Sequence, residues 1–220
     1  RATSDKMIGS SAAWTAGYTG AGSRIAIIDT GADVDHPSLD PDALKYALQG
    51  SNATIMTEAD LTDEVLNQLN AYTRKAGLTA ADFYVNEKIP FGFNYVDADT
   101  DITHDNDTQG DHGSHVTGIA AGNRFVKDEA GNYVAALDSV MTQGVAPDAQ
   151  ILTMKVFGKG GGAYDSDYMV AIEDAMVLGA DAANLSLGGS FPGYSEYTEE
   201  KYRHILDEIV GSGMVVTISA

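Results

Sequence analysis

Arg24-Ile25-Ala26-Ile27-Ile28-Asp29-Thr30-Gly31 passes through four apolar residues and delivers a carboxylate next to a glycine. A run this continuously apolar reads as a strand buried on both faces, the pattern of a parallel sheet covered by helices. Three further runs share the texture and end in glycine-rich or polar turns: Ile151–Phe157, Ala182–Leu187 and Met214–Ser219. Between them lie helical stripes. One starts from Asp165 as N-cap, carries Met169, Ile172, Met176 and Val177, and stops at Gly179. Another carries Tyr202, Ile205, Leu206 and Ile209 and stops at Gly211. Strand alternating with helix predicts an α/β fold, a mainly parallel sheet with right-handed crossovers and flanking helices. In such sheets function gathers at the carboxyl ends of the strands, where Asp29 stands.

Composition narrows the classes. The 220 residues hold 13 Lys and Arg against 32 Asp and Glu, a formal net charge of −19. That excludes nucleic-acid binding by a basic surface, since phosphate recognition needs clustered cations. With 44% hydrophobic residues, 24 Gly and 5 Pro, the chain has apolar mass for one sizeable core. Without cysteine there is no disulfide framework, thiol chemistry or cysteine-ligated metal. No apolar run approaches the about 20 residues that span a bilayer, which argues against membrane insertion, and the start at Arg1 lacks a secretory profile. The segment Asp40–Pro90 is more polar, with Leu61, Val65, Leu69 and Tyr72 spaced for one helix face. It reads as an elaborated loop packed on the main sheet.

A second chemical motif is Gly110-Asp111-His112-Gly113-Ser114-His115-Val116-Thr117-Gly118, a glycine-flanked histidine at the start of a small-residue helix running to about Gly122. A buried carboxylate that holds one imidazole nitrogen leaves the other free as a general base. Asp29 and His112 suit those roles, though only the fold can bring them together. Two glycine loops follow strands: Gly158-Lys159-Gly160-Gly161-Gly162 and Ser186-Leu187-Gly188-Gly189. Such edges predict a cleft that holds an extended peptide by main-chain hydrogen bonds.

Taken in order, Ile25–Gly31, His-Gly-Ser-His-Val at 112–116, Gly-Val-Ala-Pro at 144–147, Lys-Val-Phe-Gly at 155–158 and Asn-Leu-Ser-Leu-Gly-Gly at 184–189 resemble the subtilisin family of serine endopeptidases. The elaborated segment and Pro90-Phe91-Gly92-Phe93-Asn94-Tyr95 are more similar to its cell-envelope proteinases, of the lactocepin and C5a-peptidase types. The resemblance implies that Asp29 and His112 are the acid and base of a Ser-His-Asp triad. It also implies that Gly160, Gly161, Gly162, Ser186, Leu187 and Gly188 flank a peptide or protein substrate. Nothing matches the family's serine motif, and the strand expected to lead to its oxyanion-hole asparagine ends at Ala220. The resemblance therefore implies the N-terminal part of a secreted or wall-attached peptidase, inactive alone and needing the rest of the catalytic domain on the same or a second chain. A peptide-binding protein that has lost catalysis is the alternative.

Other readings stand beside these. Asp29-Thr30-Gly31 also resembles the loop of retroviral-type aspartic proteases, but those pair two such loops on an all-β frame. His112 and His115 share a helix face and invite zinc, yet no glutamate follows in the His-Glu-x-x-His pattern. His115 reads instead as a packed core histidine, His36 and His204 as surface residues, and His104 as solvated. No cofactor is required for the chemistry. Asp97, Asp99, Asp101, Asp105, Asp107 and Asp111 form a run that is either a solvated loop or a structural calcium site. No metal ligands are assigned, since Ile102 stands where an EF-hand needs glycine and Ser38 where the family often has an Asp. Trp14 and Tyr18 are expected to pack against the sheet, and Thr117 and Gly118 to be small for close packing.

Overall fold

The computed structural model describes residues 2–188 and 196–219. Its strands are β1 (Arg24–Asp29), β2 (Phe91–Asn94), β3 (Phe125–Lys127), β4 (Tyr133–Ala135), β5 (Gln150–Lys155), β6 (Ala182–Leu185) and β7 (Val215–Ile218). Five of them form a parallel sheet in the order β2-β5-β1-β6-β7, and β3 and β4 make a separate antiparallel pair. The α/β expectation holds. Because β5 and β6 lie on opposite sides of β1, the strand order reverses there and opens a crevice at its carboxyl end. Asp29 is the last residue of β1.

The helices are α1 (Ala2–Ile8), α2 (Ser10–Thr15), α3 (Pro41–Ala47), α4 (Asp63–Leu66), α5 (Asn70–Arg74), α6 (Ala80–Phe83), α7 (His112–Ala121), α8 (Ala136–Ser139), α9 (Asp165–Val177) and α10 (Glu196–Ser212). Alternation along β1 sorts its side chains between two layers. Ala26 and Ile28 join a core with Met169 and Ile172 of α9 and Ile205 of α10. Ile27 faces the other way, onto Ala121 of α7, Leu39 and Ile89. Arg24, at the start of β1, donates through its guanidinium to the Leu178 carbonyl at 2.7 Å and so closes the end of α9. None of the described helices is long and apolar enough to cross a membrane.

Several local expectations are corrected. Asp165 is the first residue inside α9 rather than its cap; its carboxylate accepts the Tyr168 hydroxyl at 2.6 Å. α10 runs through Gly211 and ends before Gly213, whose φ of 77° supplies the left-handed turn, and Leu206 is exposed. β7 was expected buried, yet Val215 and Ile218 are exposed, whereas β2, at the opposite edge of the same sheet, is buried throughout.

The single helix expected across Leu61–Tyr72 is two short ones. Leu69 is extended between them, and the carboxylate of Asp174 on α9 accepts the first amides of α5, from Asn70 at 2.7 Å and Ala71 at 2.9 Å. An acid supplied from another helix thus begins α5 and breaks the continuity. Burial raises the Asp174 carboxyl above its ordinary range, while those amides and the Tyr95 hydroxyl, which donates at 2.8 Å, oppose it. The apolar face itself was read correctly: Leu61 and Leu69 are buried, with Val65 and Tyr72 packed against the same core. Gln150 of β5 pins the segment further, exchanging two hydrogen bonds with the Met56 backbone and donating to the Glu87 carbonyl.

Candidate active site

The fold brings Asp29 and His112 together. His112 Nδ1 lies 2.7 Å from Asp29 Oδ1, with the Asp29 side chain 1% exposed and that of His112 52% exposed. The carboxylate fixes Nδ1 as the protonated nitrogen, so Nε2, with no partner among the described residues, is the free basic one. Asp29 Oδ1 also accepts the Thr30 amide at 2.7 Å, while Oδ2 is buried without a donor among the described residues. Such a carboxylate orients the ring and stabilises the imidazolium when it forms.

Close approach of helix and strand makes this geometry. A Cβ on Gly113 would lie 2.2 Å from the Gly31 carbonyl oxygen, so only glycine lets α7 sit this near the end of β1. The Gly113 amide donates to Thr30 Oγ1 at 2.8 Å, tying the first turn of α7 to the residue after Asp29. Gly31, at φ 108°, turns the chain so that the Ala32 amide donates to the Ile102 carbonyl. At the far end of α7, the Gly-Val-Ala-Pro motif takes up the loose carbonyls: Val145 donates to Ile119 and Ala146 to Ala120. Trp14 reaches across to donate to the Val145 carbonyl at 2.8 Å, whereas Tyr18 is exposed, against expectation. Thr117 is fully buried, but Gly118 has open space around it and is not required for packing.

Sequence reasoning passed over Lys155. Its side chain is 1% exposed, and its ammonium contacts Asp107, itself 2% exposed, at 2.6 Å. The aspartate run is therefore not simply a solvated loop. Asp99, Asp101 and Asp107 each accept the amide two residues on, and Asp97 accepts from Asn94 and from the Lys159 amide. The Thr103 hydroxyl helps lower the Asp101 carboxyl. Among the described residues no three acidic or histidine side chains are grouped so as to hold a metal ion by themselves. The signal that could have exposed Lys155 is its place inside the buried run Thr153-Met154-Lys155-Val156.

The glycine loops leave the sheet on either side of β1. Gly161 and Gly162 have φ of 88° and 89°, and a Cβ on Gly161 would meet Gln109 Nε2 at 2.9 Å, so this loop lies against the approach to His112. Gly160 and Gly162 are exposed with nothing crowding them. Across β1, Ser186 Oγ accepts from Asn184 and the Leu187 carbonyl accepts from the Ser219 hydroxyl at 2.6 Å, while Gly188 is exposed. Gly189 and Ala220 lie outside the described residues. His115 is exposed rather than packed, because the side of α7 that meets β1 is the one carrying Gly113 and Thr117. His36 and His204 are exposed as expected, and His104 is half-buried.

The sequence is similar to known bacterial proteinases. The chain is 35% identical over 178 residues to the PI-type proteinase of Lactococcus lactis subsp. cremoris, covering 78% of this chain and 8% of that protein. It is 31% identical over 188 residues to the minor extracellular protease Vpr of Bacillus subtilis, covering 83% and 16%. To the C5a peptidase of Streptococcus pyogenes it is 28% identical over 203 residues, covering 91% and 15%. The chain thus spans less than a fifth of each of these relatives. The model of the peptidase S8 subtilase family matches residues 20–220, and with the parallel sheet and the Asp29–His112 pair in place the chain belongs to the subtilase family of serine peptidases.

Proposed function

We propose that this chain is the Asp- and His-bearing part of a secreted or cell-envelope serine endopeptidase. The observation that carries the reading is the 2.7 Å contact between a buried carboxylate and Nδ1 of an imidazole whose Nε2 is free. In the reaction, Nε2 of His112 takes the proton of a serine hydroxyl as that oxygen attacks the peptide carbonyl. His112 then returns the proton to the leaving amine, and Asp29 stabilises the imidazolium between the two transfers. Water, deprotonated by the same nitrogen, hydrolyses the acyl-enzyme. The serine and the oxyanion donors belong to polypeptide beyond this chain, a reading that the exposed apolar residues of edge strand β7 support.

Substrate binding follows from the sheet. β5 and β6 are two strand spacings apart across β1, about 10 Å, and an extended peptide placed beyond the end of β1 sits one spacing from each loop. Gly160–Gly162 and Ser186–Gly188 are the backbones offered to it. Treating the full polypeptide that carries this chain with a fluorophosphonate probe tests the proposal. One serine should be labelled, and His112→Ala should abolish labelling. A folded wild-type polypeptide that takes no label would refute the peptidase reading and favour a peptide-binding protein without catalysis.

A further inference from the structure

Behind the Asp29–His112 contact lies a second, fully enclosed ionic contact. The Lys155 ammonium donates to the Thr30 carbonyl and to Asp107 Oδ2, both at 2.6 Å. Thr30 is also the residue whose amide binds Asp29 and whose hydroxyl accepts the Gly113 amide. On the other side, Asp107 Oδ1 accepts the Gln109 amide at 2.9 Å, in the loop that enters α7. One cation therefore joins the end of the strand that carries Asp29 to the loop that delivers His112, through charge-assisted hydrogen bonds at every ionic step.

A buried ion pair gains little over well-packed apolar residues of the same size, because desolvation offsets the attraction; its best-attested use is to fix register. Here the elements whose register it fixes are those bearing the two halves of the acid–base pair. We propose that Lys155 and Asp107 are positioning residues that set the approach of His112 to Asp29 without touching substrate. The inference rests on the reading that this pair performs proton transfer.

The test uses the full polypeptide that carries this chain, a chromogenic peptide substrate, and the variants Lys155→Met, Asp107→Asn, their double and His112→Ala. The double variant leaves no unpaired buried charge, so it decides the question if either single variant fails to fold. Each folded variant should lose about 10²-fold in kcat with KM little changed, as expected for ångström-scale misplacement of a catalytic group. The double should be no worse than the poorer single, since both remove one device. Gln150→Leu removes buried hydrogen bonds at the amino end of β5, the opposite end from Lys155, and should lower Tm while leaving kcat intact. A folded double variant with wild-type kcat overturns the inference alone. A wild-type polypeptide that is inert and indifferent to His112→Ala overturns the functional reading, and the inference with it.

Discussion

Replacing Gly113 by alanine places a methyl group 2.2 Å from the Gly31 carbonyl oxygen, 2.9 Å from its amide nitrogen and 3.1 Å from Asp29 Oδ1. Carbon and oxygen approach to about 3.3 Å even in favourable contacts, so α7 must retreat by roughly an ångström at its first turn. That turn begins with His112, and its 2.8 Å hydrogen bond to Thr30 Oγ1 starts from Gly113 itself. The retreat should stretch or break the His112–Asp29 contact, and misplacement of that size costs about 10²-fold in rate. Stability should fall by about 1–3 kcal/mol from overpacking, less the roughly 1 kcal/mol by which alanine favours a helix over glycine.

The internal control is Gly118→Ala on the same helix, where nothing lies within 4 Å of the added carbon. There the helix term should stand alone, a gain of about 1 kcal/mol that raises Tm. Both variants would be assayed in the full polypeptide for hydrolysis of a chromogenic peptide and for thermal unfolding. Wild-type kcat in a folded Gly113→Ala variant would refute the claim that this glycine sets the helix–strand approach. Equal damage from Gly118→Ala would refute the assignment of the effect to contact rather than to glycine content.

Further outcomes follow from buried polar groups away from the site. Lys88 is fully buried, donates to the Pro147 and Ala149 carbonyls at 2.9 and 2.8 Å, and is lowered by burial to about 7 against an upward pull from Asp148. Between that value and the roughly 10.4 of an unfolded chain, only the unfolded state holds the proton. The wild type should therefore gain stability over Lys88→Met as pH rises through this window, by up to about 1.4 kcal/mol per unit. A stability difference that stays flat from pH 7 to about 10 would contradict it. Gln150→Leu should strand the Met56 amide and the Met56 and Glu87 carbonyls, costing about 1–3 kcal/mol for each buried group left unpaired. Urea unfolding measures it, and a midpoint equal to wild type would show that the Asp40–Pro90 segment does not depend on this side chain.

The parts of the molecule that could be read in its sequence are those where one physical pattern acts alone. β1 is apolar because both its faces are covered, and Asp29 stands out as the acid that ends it. His112 is marked by Gly113, which the helix–strand contact demands. β2 was missed because Gly92, the tightly packed centre of Phe91–Asn94, interrupts the apolar run that would announce a strand. The β3–β4 pair has three residues per strand, too few to show alternation. The break before α5 depends on Asp174, far along the chain, and no local window contains it. The role of Lys155 was passed over for a related reason: its partner lies far along the chain, and Asp107 was hidden among five other aspartates that look alike in sequence.

Asp29→Asn in the full polypeptide is the most direct test of the central claim. The amide nearly matches the carboxylate in shape but no longer holds His112 in the tautomer that leaves Nε2 basic, so kcat should fall about 10⁴-fold with Tm and KM close to wild type. A folded Asp29→Asn variant that keeps kcat within about tenfold of wild type would contradict the assignment of Asp29 and His112 as the working acid–base pair.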